Sequence, residues 1–357
     1  MLPKYIYRDY YITASDMLKL KRYLKRTINN IEPCPKFPNK RGVVMCAGGI
    51  KYFTDAWVTI SMLRETGCNL PVELFYKGNE LNADCIKELK KKKVICRDLN
   101  QFGYTNCTGY SLKVLSIFYC SFQEIFFLDA DNIPLRNPEF LFELPEYKKY
   151  NAIFWPDYTY TSKENPIWEI MDVEYRYMRE QESGQIVINK AKCWKEMNLC
   201  LEMNKLSYIF YRLLLGDKDT FRFSWMALNT PFYFMQKPPG SCGFMNNNKF
   251  IGFTMLQYDN KDNPLFLHRN LIKYHATKDN EKKWEIIKSY RTPNSDVKFQ
   301  LSHNGKHYVV DLEGDVLIEK FTDVFDDIEI RCLEHLKFIR NKKFYKEFLF
   351  KSFLFNE

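Results

Sequence analysis

Apolar residues first recur at helical spacing over residues 15–32, where Met17, Leu18, Leu20, Tyr23, Leu24 and Ile28 share one side and lysines and arginines crowd the other. Ser15 or Asp16 is the expected cap, and a helix packed on the main body with a solvated basic face is expected over a membrane-bound one. A connector bearing Pro33, Pro35, Pro38 and Gly42 follows, and the apolar run to Ala47 reads as a buried strand entering Gly48-Gly49. The pattern then predicts a helix over 54–66 ended by Gly67, a strand over 72–76, a helix over 82–92 and a short strand over 94–96. A helix over 111–122 leads into an apolar strand over 124–128. Alternation of this kind predicts a mostly parallel sheet with helices on both faces. Short strands are expected at 152–155, 185–189 and 264–267, with helical character over 190–230. Beyond Ser295, three alternating runs separated by Asn304-Gly305 and Glu313-Gly314 predict a β-meander, and a Lys- and Phe-rich helix from Asp326 closes the chain.

Composition narrows the class. A chain of 357 residues with 46% hydrophobic positions is too rich in apolar side chains for a disordered tail, a collagen or a disulfide miniprotein. It can bury one large α/β core or two modest ones. The net charge of +9 opens three classes of partner: nucleic acid, an anionic membrane surface, or a small anionic substrate such as a nucleotide sugar. Eleven cysteines, odd in number and without a C-x-x-C pair, read as buried reduced thiols rather than a disulfide framework or zinc site. The triplet Asn106-Cys107-Thr108 is a chance-level glycosylation match. No apolar run reaches the ~18–20 residues of a membrane span and no signal peptide is evident, so a soluble, cytoplasmic protein without a transmembrane segment is the expectation. The 29 Phe, 24 Tyr and 6 Trp are expected to fill cores.

The chemistry concentrates after the 124–128 strand, in Asp129-Ala130-Asp131-Asn132. Carboxylates at the carboxyl end of a buried parallel strand stand where open α/β sheets place ligands. Two hard oxygen ligands across a turn suit Mg²⁺ or Mn²⁺ with positions left open for a diphosphate. Gly48 and Gly49 would allow close backbone approach to a nucleotide, or form a plain turn; no G-x-G-x-x-G is present.

Six segments, in order, resemble the fungal Golgi α-mannosyltransferase family: Gly42-Val-Val-Met-Cys-Ala-Gly-Gly49, Leu70-Pro-Val-Glu-Leu-Phe-Tyr76, Phe127-Leu-Asp-Ala-Asp-Asn-Ile-Pro134, Ser183-Gly-Gln-Ile-Val-Ile-Asn-Lys190, Gly216-Asp-Lys-Asp-Thr-Phe221 and Leu267-His-Arg-Asn270. More distantly they are similar to glycogenin-like retaining glycosyltransferases. The resemblance implies a Rossmann-like GT-A fold, a nucleotide-sugar donor, a divalent cation and retention of anomeric configuration. On it, residues 1–41 are an N-terminal helix and connector, 42–294 the catalytic domain and 295–357 an extension.

The same resemblance implies roles. Asp131 and His268 would bind the metal, and Asp129 the metal or the donor ribose; a histidine nitrogen suits Mn²⁺ better than Mg²⁺. Ala47, Gly48, Gly49, Lys113, Asp129, Ala130, Gly184 and Lys273 would lie on the donor side, the two lysines facing the diphosphate. Asp217, Asp219 and Gln185 are the catalytic candidates. Asp217 could act as nucleophile or stabilise an oxocarbenium-like charge, and it could equally cap a helix whose first turn holds Asp219. Apart from the resemblance, Trp155 and Asp157 at the end of the 152–155 strand are acceptor-side candidates, and either could as easily be structural. His275 is a weaker metal candidate, while His303, His307 and His335 read as surface or structural. The expected activity is transfer of mannose from GDP-mannose to a glycan or glycoprotein hydroxyl. A UDP-glucose or UDP-galactose donor, a sugar nucleotidyltransferase and, in another class, a basic nucleic-acid-binding protein are the alternatives; no nucleic-acid recognition motif is visible. Golgi members of the family carry a membrane anchor and stem, neither of which is seen here, so secretory location is not carried over.

Overall fold

The structure, a computed structural model, describes residues 12–103, 109–291, 299–304 and 307–354. The glycosylation-type triplet at 106–108 lies outside them. The chain forms two compact units, each gathered from separate stretches: Met1–Val44, Gln101–Phe127 and Leu141–Phe234 in the first, and Met45–Asn100, Leu128–Phe140 and Met235–Glu357 in the second.

The first unit holds a sheet with strands in the order Asn39–Cys46, Phe122–Leu128, Arg179–Asn189, Ala152–Tyr160 and Tyr233–Phe234; the chain leaves for the second unit at the ends of the first two. The Asn39–Cys46 and Phe122–Leu128 strands are parallel, with Val43 opposite Phe126 and Val44 opposite Phe127, all four fully buried. Burial on both faces explains why these strands read as continuous apolar runs. The predicted helical stretch over 190–230 is three helices, Trp194–Lys205, Ser207–Leu213 and Lys218–Ala227. Gly216 stands before the last of them in the left-handed region, at φ +78°, which favours glycine. The N-terminal helix spans Ala14–Asn29 and is capped by Thr13 rather than Ser15 or Asp16: the Thr13 hydroxyl accepts the Asp16 N–H at 3.1 Å. Its buried residues, Leu20 and Leu24, join a core with Leu199, Met203 and Phe210.

The second unit contains the Gly49–Glu65 helix, which starts five residues ahead of the predicted one and is apolar over most of its circumference, and a parallel pair, Val72–Tyr76 with Val94–Asp98. It also holds a sheet with strands in the order Phe299–Asn304, His307–Leu312, Lys249–Tyr258, Gly240–Asn246, Ile286–Tyr290 and Val316–Lys320. Pro264–His268 pairs with Lys249–Tyr258 and with Asn132–Pro134. The architecture is α/β, as expected. The antiparallel ladders of this second sheet depart from the expected mostly parallel arrangement. The C-terminal meander is corrected too. Phe299–Asn304 and His307–Leu312 form the hairpin that Asn304-Gly305 signals, but Val316–Lys320 pairs with Ile286–Tyr290 instead of with its predecessor. Alternation identifies a strand without naming its partner.

The Gly240–Asn246 strand escapes the sequence reading because its glycines imitate a loop. At Gly243 a Cβ would lie 1.9 Å from the Ile251 carbonyl oxygen, so the close strand approach requires glycine. The closing segment is two helices, Ile328–Arg340 and Lys343–Leu354, rather than one. Ile328, Cys332, Leu333 and Leu336 bury against Leu267, Tyr274 and Trp284 in one core. Among the described residues no helix is long and apolar enough to cross a membrane, and the ten cysteines are all free thiols, most of them buried.

Candidate active site

In the second unit, the pairing of Asn132–Pro134 with Pro264–His268 sets His268 opposite Asn132 and so beside the acidic turn. The Asp131 carbonyl also accepts the Arg269 N–H at 2.9 Å, which fastens the two segments together. His268 Nε2 stands 3.1 Å from Asp131 Oδ1 and 3.8 Å from Asp129 Oδ2. The other Asp131 oxygen is ion-paired with the Lys273 ammonium. Burial pushes the Asp131 carboxyl up, but Lys273 and His268 more than offset this and hold it well below the usual carboxylate range. Burial likewise opposes the Lys273 charge, and Asp131, Asp55 and Asp129 raise its pKa above the ordinary lysine value. Thus Asp129, Asp131, His268 and Lys273, assigned by resemblance, converge within this unit.

The two carboxylates and the imidazole fit a dication. Ligand atoms bound at about 2.0–2.2 Å to one ion lie about 3–4 Å from each other, and His268 Nε2 stands at that distance from an oxygen of each aspartate. A mixed oxygen and nitrogen set favours Mn²⁺ over Mg²⁺.

The nucleotide-side candidates have other engagements as well. Gly48 is the N-cap of the Gly49–Glu65 helix, and a Cβ on it would lie 1.9 Å from a Glu80 carboxylate oxygen, so the absent side chain makes room for Glu80. Gly49 adopts φ +64°, the left-handed turn that the alternative reading foresaw. The Ala47 N–H is bonded to the Phe75 carbonyl at 2.9 Å, and the Ala130 carbonyl accepts the Thr59 hydroxyl at 2.6 Å. Asp55 escaped the sequence reading: a carboxylate within an apolar helix, fully buried, it holds both the backbone N–H and the ring of His275. Burial raises its pKa against the pull of His275.

The first unit carries the remaining candidates. The Lys113 ammonium donates to the Ser183 carbonyl at 3.0 Å and hydroxyl at 2.9 Å, and lies 3.5 Å from Asp217 Oδ2. The Ser183 hydroxyl donates to the same Asp217 oxygen at 3.2 Å. Asp217 stands at the N-cap position of Lys218–Ala227 but makes no side-chain cap bond there. Its carboxylate is turned to Lys113 and Ser183 instead, which sets aside the capping alternative. Gly184 and Gln185 are both buried and both grip Glu182, the Gly184 N–H at 2.7 Å and the Gln185 amide at 3.0 Å. Trp155 is 0% exposed and belongs to the core, not to an acceptor surface.

Asp219 is enclosed, accepting from the Gln181 N–H at 2.9 Å and from Arg222 at 2.8 Å. Burial pushes its carboxyl up to about 6, against the pull of Arg222. A reacting nucleophile needs an open face, and this side chain has none. Around it lies a network missed from sequence: Lys218 reaches Asp157 at 2.6 Å, Glu180 at 2.7 Å and Asp219 at 3.8 Å. Burial opposes the Lys218 charge, and these three carboxylates raise its pKa above the ordinary lysine value. Lys218→Met removes the cation that Asp157, Glu180 and Asp219 share and is expected to lower stability at pH 7 by about 3 kcal/mol, read by denaturant unfolding. Asp219, whose carboxyl burial raises to about 6, takes up a proton as pH falls from 7 toward 5, which relieves the repulsion, so the deficit shrinks over that range.

With this geometry established, comparison with known proteins is direct. The chain is 27% identical over 325 residues to the α-1,2-mannosyltransferase MNN21 of Candida albicans, covering 72% of this chain and 48% of that protein. It is 26% identical over 289 residues to α-1,2-mannosyltransferase MNN5 of Saccharomyces cerevisiae, covering 62% and 49%. The chain therefore spans about half the length of the curated relatives it matches. Among solved structures, the mannosyltransferase Ktr4p from S. cerevisiae in complex with GDP superposes with a TM-score of 0.37 at 9% identity, covering 61% of this chain and 78% of that one. The family profile "Mannosyltransferase putative" matches residues 40–180 and 171–259. This match takes in more than half of the chain, which belongs to that mannosyltransferase family.

Proposed function

We propose that the chain is a metal-dependent retaining mannosyltransferase of GT-A type that moves mannose from GDP-mannose to a hydroxyl of a glycan or glycoprotein. The observation that carries the reading is the convergence of Asp129, Asp131 and His268 in a family whose named relatives are α-1,2-mannosyltransferases. A dication held by these three side chains would supply Lewis-acid stabilisation of the departing diphosphate. Lys273 adds a fixed positive charge beside the same carboxylate, where a diphosphate oxygen can take over one of its hydrogen bonds. The Asp217 carboxylate, held in orientation by Lys113 and Ser183, is suited to oppose positive charge on the anomeric carbon as the bond to diphosphate breaks. The acceptor hydroxyl oxygen then bonds to that carbon on the face the diphosphate leaves, and its proton passes to the departing diphosphate oxygen.

The test is GDP release by the purified chain from GDP-mannose with a mannoside acceptor, with UDP-glucose and UDP-galactose run in parallel. Turnover with GDP-mannose that EDTA abolishes and Mn²⁺ restores is the expected result. Metal-independent turnover, or preference for a UDP-sugar, would overturn the proposal.

A further inference from the structure

The segment that carries Lys273 cannot hold its own shape. It is a single 3₁₀ turn, Tyr274–Ala276, closed by the Ala276 N–H on the Lys273 carbonyl at 3.1 Å and the Thr277 N–H on the Tyr274 carbonyl at 3.0 Å, too little on its own to fix a helix. Side chains from elsewhere in the unit add to these bonds. Arg340, the last residue of the Ile328–Arg340 helix, donates to the carbonyls of Thr277 at 2.7 Å, His275 at 2.9 Å and Tyr274 at 3.2 Å. Asp279 pairs with the same guanidinium at 2.7 Å and fixes its direction. From the opposite side Asp55 accepts the His275 N–H at 3.0 Å and meets its ring Nδ1 at 2.8 Å. Arg269, the residue after His268, donates to the Ile272 carbonyl at 2.6 Å and to the Thr277 hydroxyl at 2.9 Å, and that hydroxyl reaches the Lys273 carbonyl at 3.0 Å.

The helix bearing Arg340 is itself tied down at its other end. Glu329 accepts the N–H groups of Lys283 at 2.8 Å and Trp284 at 3.0 Å and pairs with Arg269 at 3.4 Å. A planar guanidinium bonding three carbonyls defines backbone position better than an ammonium could. A lysine reaches a fixed point in space only if its Cα is fixed, because its stem is long and flexible.

We infer that Arg340, acting with Asp55, is a positioning residue that holds the 273–277 turn so that Lys273 meets Asp131 and, with it, the donor diphosphate. The Ile328–Arg340 helix is therefore a brace for donor binding. The inference rests on the proposed reading of Lys273 as a diphosphate contact.

A double-mutant cycle tests it, with the affinity of the full chain for GDP and Mn²⁺ measured by calorimetry. Lys273→Gln is expected to weaken GDP binding by tenfold or more, and Arg340→Gln by about tenfold, the scale of a misplaced binding group. Added to Lys273→Gln, Arg340→Gln is expected to cost no more than about a further twofold, and Arg340→Lys alone falls between wild type and Arg340→Gln. A purely structural role for Arg340 would weaken binding equally in both backgrounds, and that result overturns the brace. So does an Arg340→Gln affinity within about twofold of wild type while Lys273→Gln is impaired. Unchanged binding in Lys273→Gln sinks the reading of Lys273, and the brace with it. If Arg340→Gln does not fold, Arg340→Lys carries the same cycle.

Discussion

Asp131→Ala is expected to lower mannose transfer about a thousand-fold or more, the scale on which a lost electrostatic partner of the leaving group is felt. Three losses coincide. The alanine cannot ligate a dication, it takes one carboxylate away from His268 and Asp129, and it releases Lys273 from the oxygen that holds it. The side chain is 4% exposed, so water cannot easily replace it as a ligand. The fold is expected to persist. The backbone bond between the Asp131 carbonyl and Arg269 does not depend on the side chain, and Lys273, 25% exposed, can turn to solvent. GDP release from GDP-mannose gives the activity, and calorimetry with Mn²⁺ and GDP gives the lost metal-dependent affinity. Activity within tenfold of wild type would remove Asp131 from the metal set.

Asp217→Asn is the second large effect, and of a different kind. The substitution keeps size and one acceptor oxygen for Ser183 but removes the negative charge. If that charge acts on the anomeric carbon, kcat should fall by about a hundred- to a thousand-fold while the KM for GDP-mannose changes by less than about threefold. Asp217 is buried against Lys113, so some fall in melting temperature is expected, while the two bonds from Lys113 to Ser183 keep the site folded. A loss in KM with kcat preserved would reassign the residue to donor binding, and an unchanged kcat would end its candidacy. Asp219, enclosed and paired with Arg222, is expected to act through stability instead.

What could be read from the sequence follows the range over which each signal acts. The Asp129-Ala-Asp131 turn was legible because an apolar strand precedes it immediately, and the strands around Val43 and Phe126 because burial on both faces leaves a continuous apolar run. His268 and Lys273 carry no local mark. Only the resemblance singled them out, and the pairing of Pro264–His268 with Asn132–Pro134 brings the histidine to the turn. Asp55 was invisible for a related reason: a carboxylate in a helix reads as solvated until the helix is known to be buried on that side too. The Lys218 network draws its acids from three elements far apart in sequence, so no spacing rule could have gathered them. The Val316–Lys320 strand was recognised but given the wrong neighbour, since its true partner lies across an intervening hairpin.

The interleaving of the two units has a practical consequence for anyone who would dissect this chain. Each unit is collected from three separate stretches, and the acidic turn at 129–131 reaches the second unit only because the chain leaves the first at Phe127. No single scissile bond can release either unit intact: truncation from the N-terminus removes the first stretch of the first unit, and truncation from the C-terminus removes the last stretch of the second. Exchanging a unit with a relative means transplanting three segments at once, with the crossovers placed at residues 44–45, 100–101, 127–128, 140–141 and 234–235.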